Sequence, residues 1–361
     1  MTDDLDAPDA LDRDKALTLA AVAAMAWCAR GSDSAPQGPQ VLERVMKAAS
    51  WVSRTRRHNG LPAIGVANLV AAFSEPVEAW LPGGGSFVLI ENGQLTPIGE
   101  DLADDAGGWP LAEVEQNVIR VAMNNLRGRI DEEAAYTAFR RFLVENAHAK
   151  LVDAAAALRQ VGIDLARVYQ RVPASTVAHL EGGEAFYPCP RCGWPMHIQG
   201  SAVSCHRSPT CIAAGARFDL ESSLVGLGKL TPPPPVSPEG VAALLPGIWR
   251  FTVLPGLEEL ALERLLRQVE GVEVRLWPFV DAYDLDVRRG PHHWRIDLKD
   301  HSSVTSLARH LKEHPVSEPT WIVVPEARRE QVPRLRQLVD RDAQYIFADV
   351  REIVRRVKEA E

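Results

Sequence analysis

A short charged segment, Tyr283–Asp300, constrains the fold of this chain more than any other part of its sequence. Apolar and charged residues alternate on both sides of Arg288–Pro291, whose Gly-Pro pair is a turn signal, so the segment is predicted to form a β-hairpin. One face of this hairpin would carry four charged residues: Asp284, Asp286, Asp297 and Lys299. Three carboxylates and a lysine are costly together unless a further charged group lies among them. A divalent metal ion or a phosphate is such a group.

The residues around the hairpin predict a regular order of elements from about Leu245 to the C-terminus. Gly271 follows an amphipathic helix, as expected just past a helix end. Thr320–Pro325 is a continuous apolar run, which is typical of a central strand buried on both faces. Around the two hairpin strands, the predicted elements are helix Pro255–Glu270, strand Val272–Trp277, helix Ser302–His314, strand Thr320–Pro325, helix Glu330–Val339, strand Gln344–Phe347 and helix Asp349–Lys358.

This order, with Asp284 on the second strand and Asp297-x-Lys299 on the third, resembles the restriction-endonuclease-like superfamily of PD-(D/E)xK nucleases. The resemblance covers residues 245–361. Tyr283 stands where the family name has a proline, a position that varies in the superfamily. The resemblance implies an α/β domain with a mixed sheet that hydrolyses phosphodiester bonds with Mg²⁺ or Mn²⁺.

Chemistry and resemblance together give the predicted site. Phosphodiester hydrolysis needs an activated water and a neutralised phosphate, and Mg²⁺ held by carboxylates serves both. Asp284 and Asp297 are the expected metal ligands, and the resemblance implies the carbonyl of Leu298 as a further one. Lys299 is expected to orient or deprotonate the water and to offset phosphate charge. The predicted catalytic residues are therefore Asp284, Asp297 and Lys299.

Several alternatives stay open in this segment. Asp286 is an alternative to Asp284, and Glu259 or Glu263 on the preceding helix is a candidate to complete the metal site. Alternatively, Asp297 and Lys299 form only a surface ion pair, which contributes little to stability. Asp281 and Asp300 are expected to be solvated turn or cap residues, and His292 and His301 are expected to be structural.

Four of the five cysteines lie close in sequence: Cys189, Cys192, Cys205 and Cys211. Cys189-x2-Cys192 followed by Gly193 has the spacing of a zinc knuckle, and four thiolates suit a closed structural Zn²⁺ site. The second pair is more widely spaced, which leaves His206 or His197 as an alternative ligand. Residues 186–220 resemble the zinc-ribbon class. The cluster also favours a reducing cytoplasm over a disulfide framework.

The rest of the chain completes a multidomain organisation. Residues 1–180 are predicted to be a mainly α region, and residues 226–240, with four consecutive prolines, a linker. The net charge of −8 restricts nucleic-acid binding to local patches, and no apolar run is long enough to span a membrane. The basic residues of the helical region are expected on solvated faces, with a nucleic-acid or protein contact as the alternative: Arg120, Arg127, Arg129, Arg140, Arg141 and Lys150.

These predictions combine into a metal-dependent endonuclease acting on DNA, with the helical and zinc-ribbon segments for recognition or assembly. The combination resembles nucleases of bacterial defence islands, including those that accompany prokaryotic PIWI-like proteins, so a protein partner in a defence complex is expected. The first competing hypothesis is a non-catalytic adaptor that binds nucleic acid or protein through a nuclease-like fold. The second is a zinc-ribbon regulator whose C-terminal domain is only structural.

Overall fold

A computed structural model shows how the chain folds. It describes residues 8–29, 38–91, 93–104, 110–205, 211, 214–221, 223–227, 229–301, 304–339 and 344–360. The chain divides into two compact units. The first consists of Met1–Trp109 with His301–Leu307, and the second of Pro110–Asp300 with Ala308–Glu361.

The first unit is mainly helical. Its elements are α1 (Pro8–Ala29), α2 (Gly38–His58), α3 (Val66–Ala72), α4 (Val77–Trp80), β1 (Ile90–Glu91), β2 (Gln94–Leu95) and α5 (Pro97–Asp104). Alanines between residues 16 and 26 of α1 are buried, and within the described residues no helix is long and apolar enough to cross a membrane. The last turn of α2 is basic, and Arg56 there donates to the carbonyls of Pro62 and Trp80. This cluster is thus a cationic helix end, which the helix dipole favours.

The second unit begins with helices α6 (Pro110–Leu126), α7 (Glu132–Glu145) and α8 (Leu151–Gln160). Three small sheets accompany them. Their strands are β3 (His148–Lys150), β4 (Tyr169–Arg171), β5 (Val177–Leu180), β6 (Gly183–Phe186), β7 (His197–Gln199), β8 (Ala202–Ser204), β9 (Arg217–Leu220), β10 (Leu224–Gly226) and β11 (Val241–Leu244). The sheet orders are β3-β11-β4, β5-β6 and β10-β9-β8-β7.

The proline-rich segment does not separate independent modules within this unit. Strand β11, which follows it, pairs with both β3 and β4, which precede the cysteines. Within the segment, Val236 exchanges two backbone hydrogen bonds with Phe186, each of 2.9 Å. Residues 110–180 of the helical region, the cysteine-rich segment and most of the C-terminal segment therefore belong to one compact unit.

The C-terminal part contains a five-stranded mixed sheet. Its elements are α9 (Leu254–Arg267), β12 (Val272–Leu276), β13 (Leu285–Arg289), β14 (His292–Leu298), α10 (Val304–Glu313), β15 (Thr320–Val324), α11 (Gln331–Leu338), β16 (Tyr345–Asp349) and α12 (Val350–Glu359). The strand order is β12-β13-β14-β15-β16, antiparallel up to β14 and parallel beyond it. The mainly helical first part of the chain and this mixed sheet agree with the predicted fold class.

Local residue types explain the hairpin and the helix beside it. Gly290 has a φ of +53° at the first of two turn residues, as in a type II′ hairpin. Trp294, Ile296 and Leu298 are buried, in agreement with the predicted alternation. Gly256 lets α9 pack against α7, because a Cβ at this position would lie 2.4 Å from a methyl group of Val144.

Candidate active site and cysteine cluster

Backbone hydrogen bonds place Asp284 beside the end of β14. Its N–H donates to the carbonyl of Ile296 at 3.1 Å, and its Oδ2 accepts the N–H of Leu298 at 2.6 Å. The residue is buried, with 8% of its surface exposed. A carboxylate just before β13 is thus fixed against the strand that carries Asp297.

Asp297 and Lys299 project from the end of β14 and pair with each other. The distance from Lys299 Nζ to Asp297 Oδ1 is 2.8 Å, and each side chain keeps about a quarter of its surface exposed. The backbone N–H of Lys299 donates to Val323 and so ties this end of the strand to β15. Both side chains are thus partly accessible from solvent.

The charges of these residues act on one another. Burial raises the pKa of Asp284 well above its ordinary range, and the carboxylates of Glu259 and Asp297 raise it further, while Lys299 and Arg140 oppose them. Burial alone would lower the pKa of Lys299, but Asp297 and Asp284 outweigh it and the pKa is raised. A cation beside Asp284 would therefore restore the ionised carboxylate, which is the form that binds metal.

Helix α9 contributes Glu259 to this cluster. Glu259 accepts hydrogen bonds from Arg140 at 3.1 and 3.2 Å and from the indole N–H of Trp277. Burial raises its pKa, although Arg140 and Trp277 act in the opposite direction. Glu263, one helical turn further on, instead pairs with Arg141 and Arg267. Of the two helix glutamates, Glu259 is the one that lies by Asp284.

Asp286 lies among different partners. Its carboxylate accepts hydrogen bonds from the Tyr283 hydroxyl at 2.6 Å and from Arg288 at 3.1 Å, and His293 Nε2 lies 3.0 Å away. Burial tends to raise the pKa of Asp286, but these partners outweigh it and the pKa is lowered. Its charge is thus already compensated, which favours Asp284 as the metal ligand.

Two expectations for neighbouring residues were wrong. Asp281 is not a solvated turn residue, because it accepts hydrogen bonds from Tyr136 and Arg140 of α7. Arg140 is not on a solvated face: its side chain is 10% exposed and its guanidinium bridges Glu259 and Asp281. A buried ion pair of this kind cannot be predicted from the charged residues of one helix alone. The available signal was spacing, since Arg140 follows Tyr136 by four residues on the apolar stripe of α7.

The carboxylates are less tightly grouped than the cysteines. Among the described residues, the close group of three or more metal-ligating side chains is that of the four cysteines, whose sulfurs all lie within 4.8 Å of one another. Each carboxylate instead has a cationic or N–H partner. The donors fit a divalent cation in chemical type, since Mg²⁺ prefers carboxylate and carbonyl oxygens. Asp284 and Asp297, which act on each other electrostatically, are the pair from which such a site would be built.

The cysteine cluster is compatible with a structural zinc site. All four residues are buried, and the sulfurs of Cys192 and Cys205 are 3.7 Å apart. Tetrahedral Zn–S bonds of about 2.3 Å would place sulfurs about 3.8 Å apart, so the cluster fits zinc. Gly193, with a φ of +72°, closes the first loop by donating to the carbonyl of Cys189. His197 is not part of the cluster, and His206 lies outside the described residues.

Arg191 connects this cluster to α9. It donates to the sulfur of Cys211 at 3.6 Å and forms an ion pair with Glu258, which directly precedes Glu259. Burial raises the pKa of Glu258, and the guanidinium of Arg191 acts against this. The cysteine loops therefore support the helix that carries a residue of the candidate active site.

Comparison with known protein families finds a match in the C-terminal part of the chain. Residues 256–361 match the family model described as "REase associating with pPIWI_RE". The matched segment contains α9, the mixed sheet and all the carboxylates discussed above, and it supports a restriction-endonuclease-like, pPIWI-associated family for this part of the chain. No curated protein and no solved structure matches the chain.

Proposed function

We propose that the protein is a metal-dependent nuclease that hydrolyses phosphodiester bonds of DNA in a defence complex with a pPIWI protein. The observation that carries the proposal is the meeting of Asp284, Asp297 and Lys299 at the adjoining ends of two strands. This arrangement lies within the segment that matches the REase family model. That family is described as associating with pPIWI_RE, which supports a pPIWI protein as the partner.

The proposed roles follow from charge and position. Asp284 and Asp297, with the carbonyl of Leu298, would hold Mg²⁺ or Mn²⁺. Such an ion supplies Lewis acidity and a bound water of lowered pKa. Lys299 has a raised pKa and is protonated, so its ammonium can bind a phosphate oxygen or orient the water. Glu259 shapes the site from α9 while Arg140 compensates its charge.

The cysteine cluster is proposed to hold Zn²⁺ as a structural ion. Four thiolates fill a tetrahedral site and leave no open position for substrate. Its role would be to stabilise the loops that support α9 through Arg191 and Glu258.

One test of the proposed activity is cleavage by the purified protein. Plasmid, single-stranded DNA and RNA are each incubated with Mg²⁺ or Mn²⁺, and EDTA is added to a parallel sample. Cleavage of DNA that EDTA stops is the expected result. Asp284→Asn, Asp297→Asn and Lys299→Met should each abolish it. Full activity of Asp297→Asn or Lys299→Met would refute the site.

Asp286→Asn is the matched control, because it changes the next carboxylate along the chain. Since Asp286 has its own partners, this variant should retain cleavage when circular dichroism shows that it is folded. Retained activity in Asp284→Asn together with loss in Asp286→Asn would reverse the assignment of the metal ligand.

The adaptor hypothesis has one observation in its favour. The candidate ligands are already paired, Asp297 with Lys299 and Glu259 with Arg140. A protein with a nuclease-like fold that binds nucleic acid without cleaving it would keep such ion pairs. Binding of DNA without cleavage, with or without the pPIWI partner, would support it.

A further inference from the structure

The turn between β12 and β13 has an unusual backbone. Four of its residues have a positive φ although none is glycine: Trp277 (48°), Phe279 (53°), Val280 (57°) and Asp281 (72°). Residues with a Cβ rarely adopt this left-handed conformation, and bulky or β-branched ones least of all. Backbone strain of this kind persists only where the surroundings hold it, and it concentrates at functional sites.

Contacts from α7 hold the turn in place. Glu133 accepts the backbone N–H of Phe279 at 3.3 Å, and Tyr136 and Arg140 donate to Asp281. At the start of the turn, the Trp277 ring is fully buried. Arg140 reaches Asp281 and Glu259 at once, so the turn lies next to the candidate active site.

The turn presents one aromatic side chain to solvent. Phe279 is 62% exposed, even though the guanidinium of Arg275 lies over its ring at 5.7 Å. The Tyr283 ring is 6.3 Å from it, with Arg295 over that ring at 4.5 Å. Exposure of a phenyl ring on a strained turn does not stabilise the fold. The arrangement does provide an aromatic surface with two arginines beside it, of which Arg275 forms an ion pair with Glu133 and Arg295 one with Glu318.

We propose that Phe279 stacks on an unpaired nucleobase, so that the substrate is single-stranded or locally unpaired DNA. This inference deepens the proposed function and rests on it. Every base has a π-face that stacks on an aromatic ring, but in a duplex both faces are covered by neighbouring base pairs. Arg275 and Arg295 would exchange their carboxylate partners, Glu133 and Glu318, for the phosphates that flank the stacked base. The strand would then lead past Asp281 to Asp284.

Binding of fluorescent oligonucleotides tests the proposal without relying on cleavage. Fluorescence anisotropy compares a single strand with its blunt duplex, with Ca²⁺ in place of Mg²⁺. Phe279→Ala should weaken single-strand binding about 5- to 140-fold, the range for loss of one stacked base. Duplex binding should change much less. Phe279→Trp should keep single-strand affinity, whereas Phe279→Leu, which is apolar but lacks a π-face, should behave like Phe279→Ala.

Ile130→Ala is the matched control, because Ile130 is also an exposed apolar residue of this unit but lies outside the turn. It should leave binding unchanged. As a second measurement, 2-aminopurine in the single strand should be quenched by the wild-type protein and not by Phe279→Ala.

Three results would each overturn the inference: no single-strand binding by the wild-type protein, unchanged affinity in Phe279→Ala, or full affinity in Phe279→Leu. The third result would point to an apolar contact with a protein. DNA cleavage combined with any of these leaves the proposed function standing. If single-strand binding depends on Phe279 but no preparation of the protein cleaves DNA, the proposed nuclease activity is refuted and the proposed stacking site stands.

Discussion

Replacement of Arg140 by methionine tests how the candidate site is held together. Arg140 comes from α7, and its side chain is 10% exposed. It bridges Glu259, which is 2% exposed, and Asp281, and its guanidinium lies 4.9 Å from the Trp277 ring. Methionine keeps much of the volume and removes the charge, so a buried carboxylate loses its cation.

The expected loss is large because the partner is buried. Removal of one member of a buried ion pair costs about 3–5 kcal/mol, since the other charge is left uncompensated. Glu259→Gln in the same chain should recover about half of that loss or more, because it removes the stranded charge. The double variant is then more stable than Arg140→Met alone.

Urea unfolding followed by tryptophan fluorescence measures these differences. Arg141→Met is the matched control on the same helix. Arg141 is 37% exposed, and its partner Glu263 keeps a second cation in Arg267, so the control should lose only about 0–1 kcal/mol. Equal losses in the two variants, or no recovery in the double variant, would refute the reasoning.

Three further predictions concern the metal sites. Asp284→Asn should raise the melting temperature of the metal-free protein at neutral pH, because burial and nearby carboxylates disfavour the charged form of Asp284. Addition of Mn²⁺ should no longer raise the melting temperature of this variant. Native Asp284 has a raised pKa and so holds a proton that the unfolded chain releases at about pH 4. The stability of the metal-free wild type should therefore fall as the pH rises from about 4 through the raised pKa of Asp284. Over the same range the affinity for Mn²⁺ should increase. Melting temperatures and Mn²⁺ affinities that both stay constant across this range would contradict the prediction. Cys189→Ser should lose bound zinc by elemental analysis and melt at a lower temperature, whereas Cys28→Ser, outside the cluster, should keep its zinc.

Several parts of the fold could be predicted from local pattern. The alternation in β14 and the turn at Gly290 follow from residue types only a few positions apart, and both are present in the structure. The sulfurs of Cys189 and Cys192 converge with those of the other two cysteines, as their spacing indicates. Helix ends moved by a few residues: α9 ends at Arg267, where Glu270 was expected. Ends of helices depend on capping contacts that periodicity does not describe.

The candidate site was only partly predictable. Pattern alone left Asp284 and Asp286 as alternatives, because both stand at the same parity along one strand. Their environments separate them: Asp284 lies by Asp297 and Glu259, whereas Asp286 is bound by Tyr283 and Arg288. Asp297 and Glu259 come from other elements, whereas Tyr283 and Arg288 are near neighbours of Asp286 along the chain.

The sequence by itself determined the hairpin, the order of strands and helices in the last third of the chain, and the cysteine cluster. These features depend on side-chain periodicity and on spacing along the backbone. Only the tertiary structure decided that Glu259 rather than Glu263 lies by Asp284, that Arg140 compensates Glu259, and that Phe279 stands exposed on a strained turn. Arg140 and Glu259 are separated by 119 positions, and their pairing results from the packing of α7 on α9. Burial sets the energy of that ion pair, and burial exists only once the chain has folded.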